Sequence, residues 1–397
     1  MQPKGGDPRP LTDEGVYFAD LRVDPTHGRV LAVREDHRQP GEPAAAIGHP
    51  GAGQRLTRRR PGVGRRLLLR PGRLPGRGTL AWLQWNHPNM PWDGTELWTA
   101  AVGPDGTLGE RVKVAGGADE SIFQPEWSPD GRLYFVSDRT GWWNLYRQGA
   151  GAGIEPLHPM QAEFGKPQWT FSMVTYAFFD ARRLAATYVE QGRWKLAFVE
   201  TDPVRWEPVN LGLDVLESIR ADARALYFIG ASPTTAPAVA QMTLAAMEPE
   251  VLRASTSEPI DPAWIAAPEP VTFTAGSDGR EVHAFYYAPH NPDFEAPAGA
   301  RPPLLVLTHG GPTSATEAVL DPEVQFWTSR GFALLDVDYS GSTGHGRAYR
   351  DRLKGQWGVL DVEDAVAGAR DGGGRAGRWP TSGHPRRQRG RLTRWRR

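Results

Sequence analysis

The chain has 397 residues with 46 basic and 46 acidic side chains, and it contains no cysteine, which excludes disulfide frameworks and Cys-ligated metal sites. This length predicts one large domain or two ordinary ones, and the high count of 15 tryptophans suits all-β packing. The first residues have no apolar signal-peptide core, and no run reaches membrane-spanning length. We therefore expect a soluble, cytoplasmic protein without membrane contacts.

The balanced net charge conceals two segments of unusual composition. Residues 48–77 contain nine Arg and no acidic residue, and residues 371–397 contain nine Arg and one Asp. Without these segments, 28 basic and 45 acidic side chains remain, a net charge of −17. The sequence thus describes an acidic globular protein with two foreign basic inserts.

From about residue 16 to 245, turns rich in Pro, Asp and Gly alternate with aromatic or β-branched runs. In the clearest copy, Trp127 to Gln148, a tight turn at Asp130-Gly131 precedes a predicted strand at 133–136, and a second strand is predicted at 143–147. Weaker copies lie at 23–36, 76–102, 179–202 and 220–232, with a spacing on the order of 40–50 residues, the period of β-propeller blades. A β-sandwich of unrelated hairpins is the alternative, but the recurrence of the turn within each unit favours a propeller.

The pattern changes at about residue 268, where predicted strands begin to alternate with predicted helices. The predicted elements are a hairpin centred on Asp278-Gly279, a buried strand at 304–307, a helix within 323–332 that ends at Gly331, a buried strand from Ala333 and an amphipathic helix within 358–370. Alternating strands and helices are typical of an α/β unit with a parallel sheet.

The sequence His309-Gly310-Gly311-Pro312 ends the first buried strand of this α/β part. Glycines at the end of a strand let backbone N–H groups approach a ligand, and such donors can hold a developing oxyanion. In α/β-hydrolases, one oxyanion donor comes from an early strand–helix loop with an HGG-type sequence. An ordinary glycine turn is the alternative interpretation.

Two further motifs are better explained by structure than by chemistry. In DYSGSTGHGR, residues 338–347, we interpret His345 as a loop histidine, because no acid or nucleophile has a recognisable relation to it. In HPNMPWDGTELW, residues 87–98, we expect a propeller loop anchored by Trp92 and Trp98 rather than a binding site.

Four stretches carry a family resemblance: THGGPTSA, FWTSRGFALLDVDYSGSTGHGR, WGVLDVEDAV and NHPNMPWDGTELW. Together they resemble the prolyl oligopeptidase family, in its acylaminoacyl-peptidase and dipeptidyl-peptidase branch. The resemblance covers about residues 16–47 and 78–370. It implies a serine peptidase whose N-terminal β-propeller limits entry to small peptides, and whose C-terminal α/β-hydrolase domain carries Ser, Asp and His in that order. Gly311 matches the position that lends an N–H group to the oxyanion hole, and Gly310 supports that turn. Ser340 stands where many relatives have Arg.

The end of the chain departs from this family. The family requires a G-x-S-x-G elbow soon after the DVEDAV helix, followed by strands that bear the Asp and the His. Residues 371–397 contain no such elbow, and Thr381 to His384, the nearest match, has neither a strand before it nor a helix after it. The Ser, Asp and His of the triad are therefore absent from this sequence. An exposed serine without a positioned base is a weak nucleophile, so we expect no useful peptidase activity from this polypeptide.

Three interpretations of the Arg-rich tail remain open. It could be a nucleic-acid-binding arm, a plain solvated tail, or GC-rich coding sequence translated in the wrong frame. We favour the third, because the same composition occurs twice, each time where the family pattern is lost. Shifted by one base, codons for a string such as RGRLTRWRR can read Gly-x-Gly-Ser-x-Gly-Gly, and this string lies about where the elbow would fall.

The predicted fold class is an incomplete β-propeller followed by a truncated α/β-hydrolase domain. The predicted domains are a propeller at 1–262 that includes the anomalous segment 48–77, the N-terminal part of a peptidase domain at 263–370, and a disordered Arg-rich tail at 371–397. About five blade-like units are visible, one of them damaged.

The predicted function is that of a serine-type peptidase of short peptides, aminoacyl- or acylaminoacyl-peptidase-like, inactive in this chain because the triad is missing. The alternative is a non-catalytic propeller that binds peptides or proteins. Short peptides are the expected ligands. No cofactor, metal, nucleic acid or membrane partner is predicted, and the sequence leaves the oligomeric state open.

Overall fold

The computed structural model describes residues 13–38, 45–48, 65–70, 73–74, 77–149, 151, 153–295, 297 and 300–376. These residues form two compact units. The first unit takes the described residues of Met1–Thr140, Leu145–Leu157 and Gln168–Met173, and the second takes those of Gly141–Asn144, His158–Pro167 and the chain from Val174 onward. Within the described ranges, no helix is long and apolar enough to cross a membrane.

The first unit is built from antiparallel sheets in which consecutive strands are neighbours. Its strands are β1 (Val16–Asp24), β2 (Arg29–Asp36), β3 (Ala45–Gly48), β4 (Arg65–Arg70), β5 (Arg73–Leu74), β6 (Arg77–Asn86), β7 (Glu96–Val102), β8 (Leu108–Gly116), β9 (Ile122–Trp127), β10 (Leu133–Ser137), β11 (Asn144–Gln148) and β12 (Ile154–Pro156). The sheet orders are β1-β2-β3, then β4-β6-β7-β8 with β5 on β6, then β9-β10-β11-β12. The last of these sheets is a four-stranded antiparallel meander, the unit that is typical of propeller blades.

The predicted hairpin around Asp130-Gly131 is present between β9 and β10. Gly131 adopts a φ of +87°, and the Ser128 hydroxyl accepts a hydrogen bond from the Arg132 N–H at 3.0 Å. All five residues of β10 are buried. A strand that is covered on both faces has a continuous run of apolar residues, and this run predicts the strand from the sequence.

The second unit contains two more such meanders and a mixed α/β sheet. Its meander strands are β13 (Tyr176–Phe178), β14 (Arg183–Glu190), β15 (Arg193–Thr201), β16 (Val204–Val209), β17 (Val215–Ala221), β18 (Ala225–Ser232), β19 (Thr235–Thr243) and β20 (Pro249–Ala254). After a 3-10 turn at Pro262–Trp264 come β21 (Glu269–Ala275), β22 (Arg280–Tyr287), β23 (Leu304–Thr308), α1 (Pro322–Thr328), β24 (Ala333–Asp338), α2 (Arg347–Asp351) and α3 (Leu360–Ala376).

The α/β sheet has the strand order β21-β22-β24-β23, and β23 runs parallel to β24. The predicted hairpin joins β21 and β22 at Asp278-Gly279, where Gly279 has a φ of +70°. Helix α1 begins with an Asp321 carboxylate that accepts from the Glu323 N–H, and the chain leaves the helix through Gly331 at a φ of +84°. The buried Ala365 and Ala369 of α3 lie in the core formed by this sheet.

Several sequence-based expectations fall partly or wholly outside the described residues. In the anomalous segment 48–77, only short stretches of strand backbone are described. Helix α3 continues through Ala376 and so includes residues 371–376 of the predicted tail, whereas residues 377–397, with the Thr381-to-His384 stretch, lie outside the described residues. The proposed domain boundary at 262/263 stays a prediction.

Candidate active site

The glycine turn lies at the carboxyl end of β23, beside the end of its parallel neighbour β24. Gly310 and Gly311 are exposed, and Gly311 has a φ of +74°, a left-handed conformation that favours glycine. In the part of the chain that the structure describes, neither glycine N–H is bonded to an acceptor. Two free backbone donors at this position can stabilise a negatively charged oxygen.

Tyr339, the first residue after β24, holds this turn. Its buried hydroxyl donates to the carbonyl oxygen of Gly311 and lies 3.3 Å from that of His309. Its ring stacks on the His309 imidazole, with centroids 4.3 Å apart. Burial raises the pKa of Tyr339, and the carboxylates of Asp361 and Asp338 raise it further, so the hydroxyl keeps the proton that it donates.

His309 and Ser342 form a short contact that resembles a catalytic pair but is structural. The Ser342 hydroxyl donates to the Tyr339 carbonyl oxygen at 2.7 Å, so it must accept its 2.6 Å bond from the Nε2–H of His309. Burial lowers the pKa of His309, which favours the neutral imidazole. Ser342 is fully buried, so its hydroxyl cannot reach a substrate.

The structure corrects the sequence-based argument about His345. The sequence shows no acid with a recognisable relation to His345, yet the His345 Nε2 lies 3.1 Å from the buried Asp338 carboxylate. The loop after β24 folds back on the strand, which brings residues seven positions apart together. The same carboxylate accepts from the Thr316 N–H at 2.7 Å. His345 is a loop histidine, as predicted, but it helps to fix the loop.

A second buried carboxylate supports the start of this loop and was missed in the sequence. Asp364 of α3 is fully buried and accepts from the Ser340 N–H at 2.7 Å and from Arg280 Nε at 2.9 Å. The side chain of Ser340 is also fully buried. An acidic residue on an otherwise apolar helix face is the signal that could have identified Asp364.

The 87–98 loop, in the first unit, has the anchors that the sequence predicts. Trp92 is buried and its ring contacts that of Trp169, with centroids 4.3 Å apart. Trp98 lies on β7 and donates its Nε1–H to Glu96 at 3.0 Å. The Asp93 carboxylate accepts from the Met90 N–H at 2.8 Å, which closes the turn. Among the described residues, no three His, Asp or Glu side chains come together in a way that could hold a metal ion.

Comparisons with known proteins place this site in a family. Residues 318–371 match the sequence model of the prolyl oligopeptidase family. The chain is 30% identical over 111 residues to dipeptidyl aminopeptidase BIII of Pseudoxanthomonas mexicana, a match over 28% of this chain and 15% of that protein. It is 26% identical over 299 residues to the probable dipeptidyl-peptidase 5 of Aspergillus flavus, a match over 70% of this chain and 38% of the relative.

A solved structure extends the likeness over nearly the whole chain. The crystal structure of a puromycin hydrolase matches with a TM-score of 0.84 and 36% identity, over 93% of this chain and 58% of that one. This chain therefore spans only part of the length of its relatives. The match supports the predicted fold class at the level of the family, while an incomplete propeller and a truncated hydrolase domain stay predictions. On this evidence, the chain belongs to the prolyl oligopeptidase family.

Proposed function

We propose that this chain carries the oxyanion-hole part of a serine peptidase site, with the Gly311 N–H as donor and Gly310 shaping the turn. The observation that carries the proposal is the pair of free glycine amides at the carboxyl end of β23, held by the Tyr339 hydroxyl. During acyl transfer, a serine hydroxyl adds to the scissile carbonyl of the substrate, and the carbonyl oxygen becomes negatively charged. A single oxyanion-hole donor is worth about 10²–10³-fold in kcat.

Short peptides and aminoacyl amides are the substrate class that we propose. The similar proteins are named as a dipeptidyl aminopeptidase, a dipeptidyl-peptidase and a puromycin hydrolase. A variant of the puromycin hydrolase has also been solved in complex with PGG. The expected cytoplasmic location stays a prediction.

We further propose that a polypeptide of these 397 residues is inactive by itself, because no G-x-S-x-G elbow occurs in the sequence. The test is to purify the chain, verify its intact mass, treat it with a fluorophosphonate probe and assay aminoacyl and dipeptidyl p-nitroanilides. We expect neither labelling nor turnover. Turnover together with labelling of one mapped serine would overturn the proposal. If tryptophan fluorescence detects peptide binding and no turnover occurs, the result would instead support the non-catalytic binding module.

The frame-shift hypothesis has its own test. The coding DNA is sequenced across the codons for Ala46 to Leu80 and from Arg370 onward. If a corrected frame supplies the elbow, the corrected chain is expressed with and without the substitution Gly311→Ala. Gly311 has a φ of +74°, so an alanine there strains the backbone of the turn. We expect kcat to fall by about 10²-fold with little change in KM. Gly212→Ala, at a φ of +66° with open space around it, is the matched control.

A further inference from the structure

Glu163 buries a carboxylate far from the glycine turn in sequence but within the same compact unit. Its Oε2 accepts from the Trp143 N–H at 2.8 Å, and its Oε1 accepts from the Gly346 N–H at 3.0 Å. Its own backbone is held by two hydrogen bonds to Val189, of 3.0 and 2.9 Å. The residue is thus fixed at its backbone and at its carboxylate, and the carboxylate reaches a backbone group 183 positions away in the sequence.

Arg350 completes this network. Its Nη1 lies 3.8 Å from Glu163 Oε1, and its guanidinium lies over the Trp143 ring at 4.0 Å from the centroid. Both charged side chains are 1% exposed. A charge buried in this way costs much free energy unless hydrogen bonds and an opposite charge compensate it. The two amide bonds compensate the Glu163 carboxylate, and the nearby guanidinium supplies the opposite charge.

The loop that leaves β24 ends at this network. The Arg347 N–H donates to the Gly141 carbonyl oxygen at 2.8 Å. Gly346 has a φ of +84°, and a Cβ there would lie 3.1 Å from the Trp142 ring and 3.2 Å from that carbonyl oxygen. A side chain at position 346 would be strained and crowded, so glycine lets the carboxyl end of the loop pack closely against residues 141 and 142.

The same loop carries the contacts that hold the glycine turn. Ser342, four residues before Gly346, accepts from His309, and Tyr339 at the start of the loop donates to Gly311. A shift of the Gly346 end would therefore reach the turn through a short, fully packed path.

We propose that Glu163 is a positioning residue for the oxyanion-hole turn, acting through the Gly346 end of the loop on Ser342 and Tyr339. The proposal rests on the proposed function, because that function makes the glycine turn an oxyanion hole. Its test does not depend on that function. Glu163 touches no reacting atom in this scheme. It sets the geometry of the backbone donors from a part of the chain that the sequence assigns to the propeller.

The test is Glu163→Gln in the full chain. A glutamine offers one acceptor oxygen and places its NH₂ against a second N–H group, so one of the two amide bonds is lost. The readouts are the backbone ¹⁵N order parameters of Gly310 and Gly311 and the imidazole titration of His309 by NMR. We expect the order parameters to fall from about 0.85 towards 0.6, and the pKa of His309 to move towards its ordinary value.

Leu226→Ala is the control for general destabilisation, because Leu226 lies on β18 in a hydrophobic core of the same unit. It should lower stability without changing either readout. If Glu163→Gln does not fold, Arg350→Lys keeps the charge but loses the planar stacking on Trp143, and we expect smaller changes in the same direction. Unchanged order parameters and an unchanged His309 titration in a folded variant would overturn the proposal. Neither readout requires catalysis, so a failure of the proposed function is detected separately, by the probe-labelling and activity experiments.

Discussion

The imidazole of His283 stacks on that of His345, with ring centroids 4.2 Å apart and ring planes inclined by 17°. His283 lies on β22 and His345 in the loop after β24, so the stack fixes the loop against the sheet. Two face-to-face imidazoles cannot both carry a proton without repulsion. The contact that fixes the loop is therefore sensitive to acid.

Burial, His345 and Arg352 lower the pKa of His283 to about 4, against an opposing effect of Asp338. The unfolded chain takes up this proton near pH 6.5 and the folded chain only near pH 4, so stability falls as the pH drops through that window. We expect a loss on the order of 1–3 kcal/mol for the partly exposed ring. Urea unfolding at pH 7 and pH 5 should show a smaller loss for His283→Asn than for the wild type. An equal loss in both proteins would contradict this, and the exposed His37→Asn is the control.

Arg280 compensates the fully buried Asp364, which in turn holds the Ser340 N–H. Replacing it by Met leaves that carboxylate without its counter-charge, so we expect a loss of about 3 kcal/mol or more in the free energy of unfolding. The same guanidinium also contacts Glu363, whose side chain is half exposed. Glu363→Gln should cost less than about 1 kcal/mol. Similar costs for the two variants, in denaturant titrations, would show that the Asp364 pair is not the important one.

Gly341 has a φ of +108°, and a Cβ there would lie 2.7 Å from Leu353 Cβ and 3.1 Å from the Pro312 carbonyl oxygen. Gly341→Ala therefore combines backbone strain with a clash, and we expect a cost of about 3 kcal/mol or more. Gly212→Ala has a similar left-handed backbone but open space, so it should show the strain alone, about 1 kcal/mol. Thermal or urea unfolding compares the two. Equal costs would mean that the packing around Gly341 relaxes freely.

Local pattern was enough to predict much of this fold. The apolar runs identified β10, β23 and β24, and the glycines at 279 and 331 marked a turn and a helix end because each adopts a positive φ. The HGG turn was found in the same way, from what glycines permit at the end of a buried strand.

The supports of that turn could not be predicted from local pattern. Glu163 and Gly346 lie 183 positions apart, and Arg280 and Asp364 lie 84 apart. Periodicity reports which face of an element is buried, but not which distant backbone group a buried carboxylate will meet. The pairing of His345 with Asp338 was wrongly dismissed for the same reason, since the return of the loop onto β24 is a tertiary feature.

The Tyr339 hydroxyl is the contact that most directly sets the Gly311 carbonyl, and Tyr339→Phe removes it while keeping the ring stacked on His309. Because Gly311 is exposed, water can replace the lost donor, so we expect a stability cost of only about 1 kcal/mol. The geometric effect should be larger than the energetic one: the ¹⁵N order parameter of Gly311 should fall well below about 0.85.

Tyr349→Phe is the matched control, because its buried hydroxyl also donates to a backbone carbonyl, that of Asp338, without touching the glycine turn. It should cost at least as much stability, since the buried carbonyl oxygen is left without that donor. It should leave the Gly311 order parameter unchanged. If both variants loosen Gly311 equally, the turn responds to the packing of the whole loop and not to the Tyr339 hydrogen bond. A rigid Gly311 in Tyr339→Phe would mean that the His309 stack alone holds the donors in place.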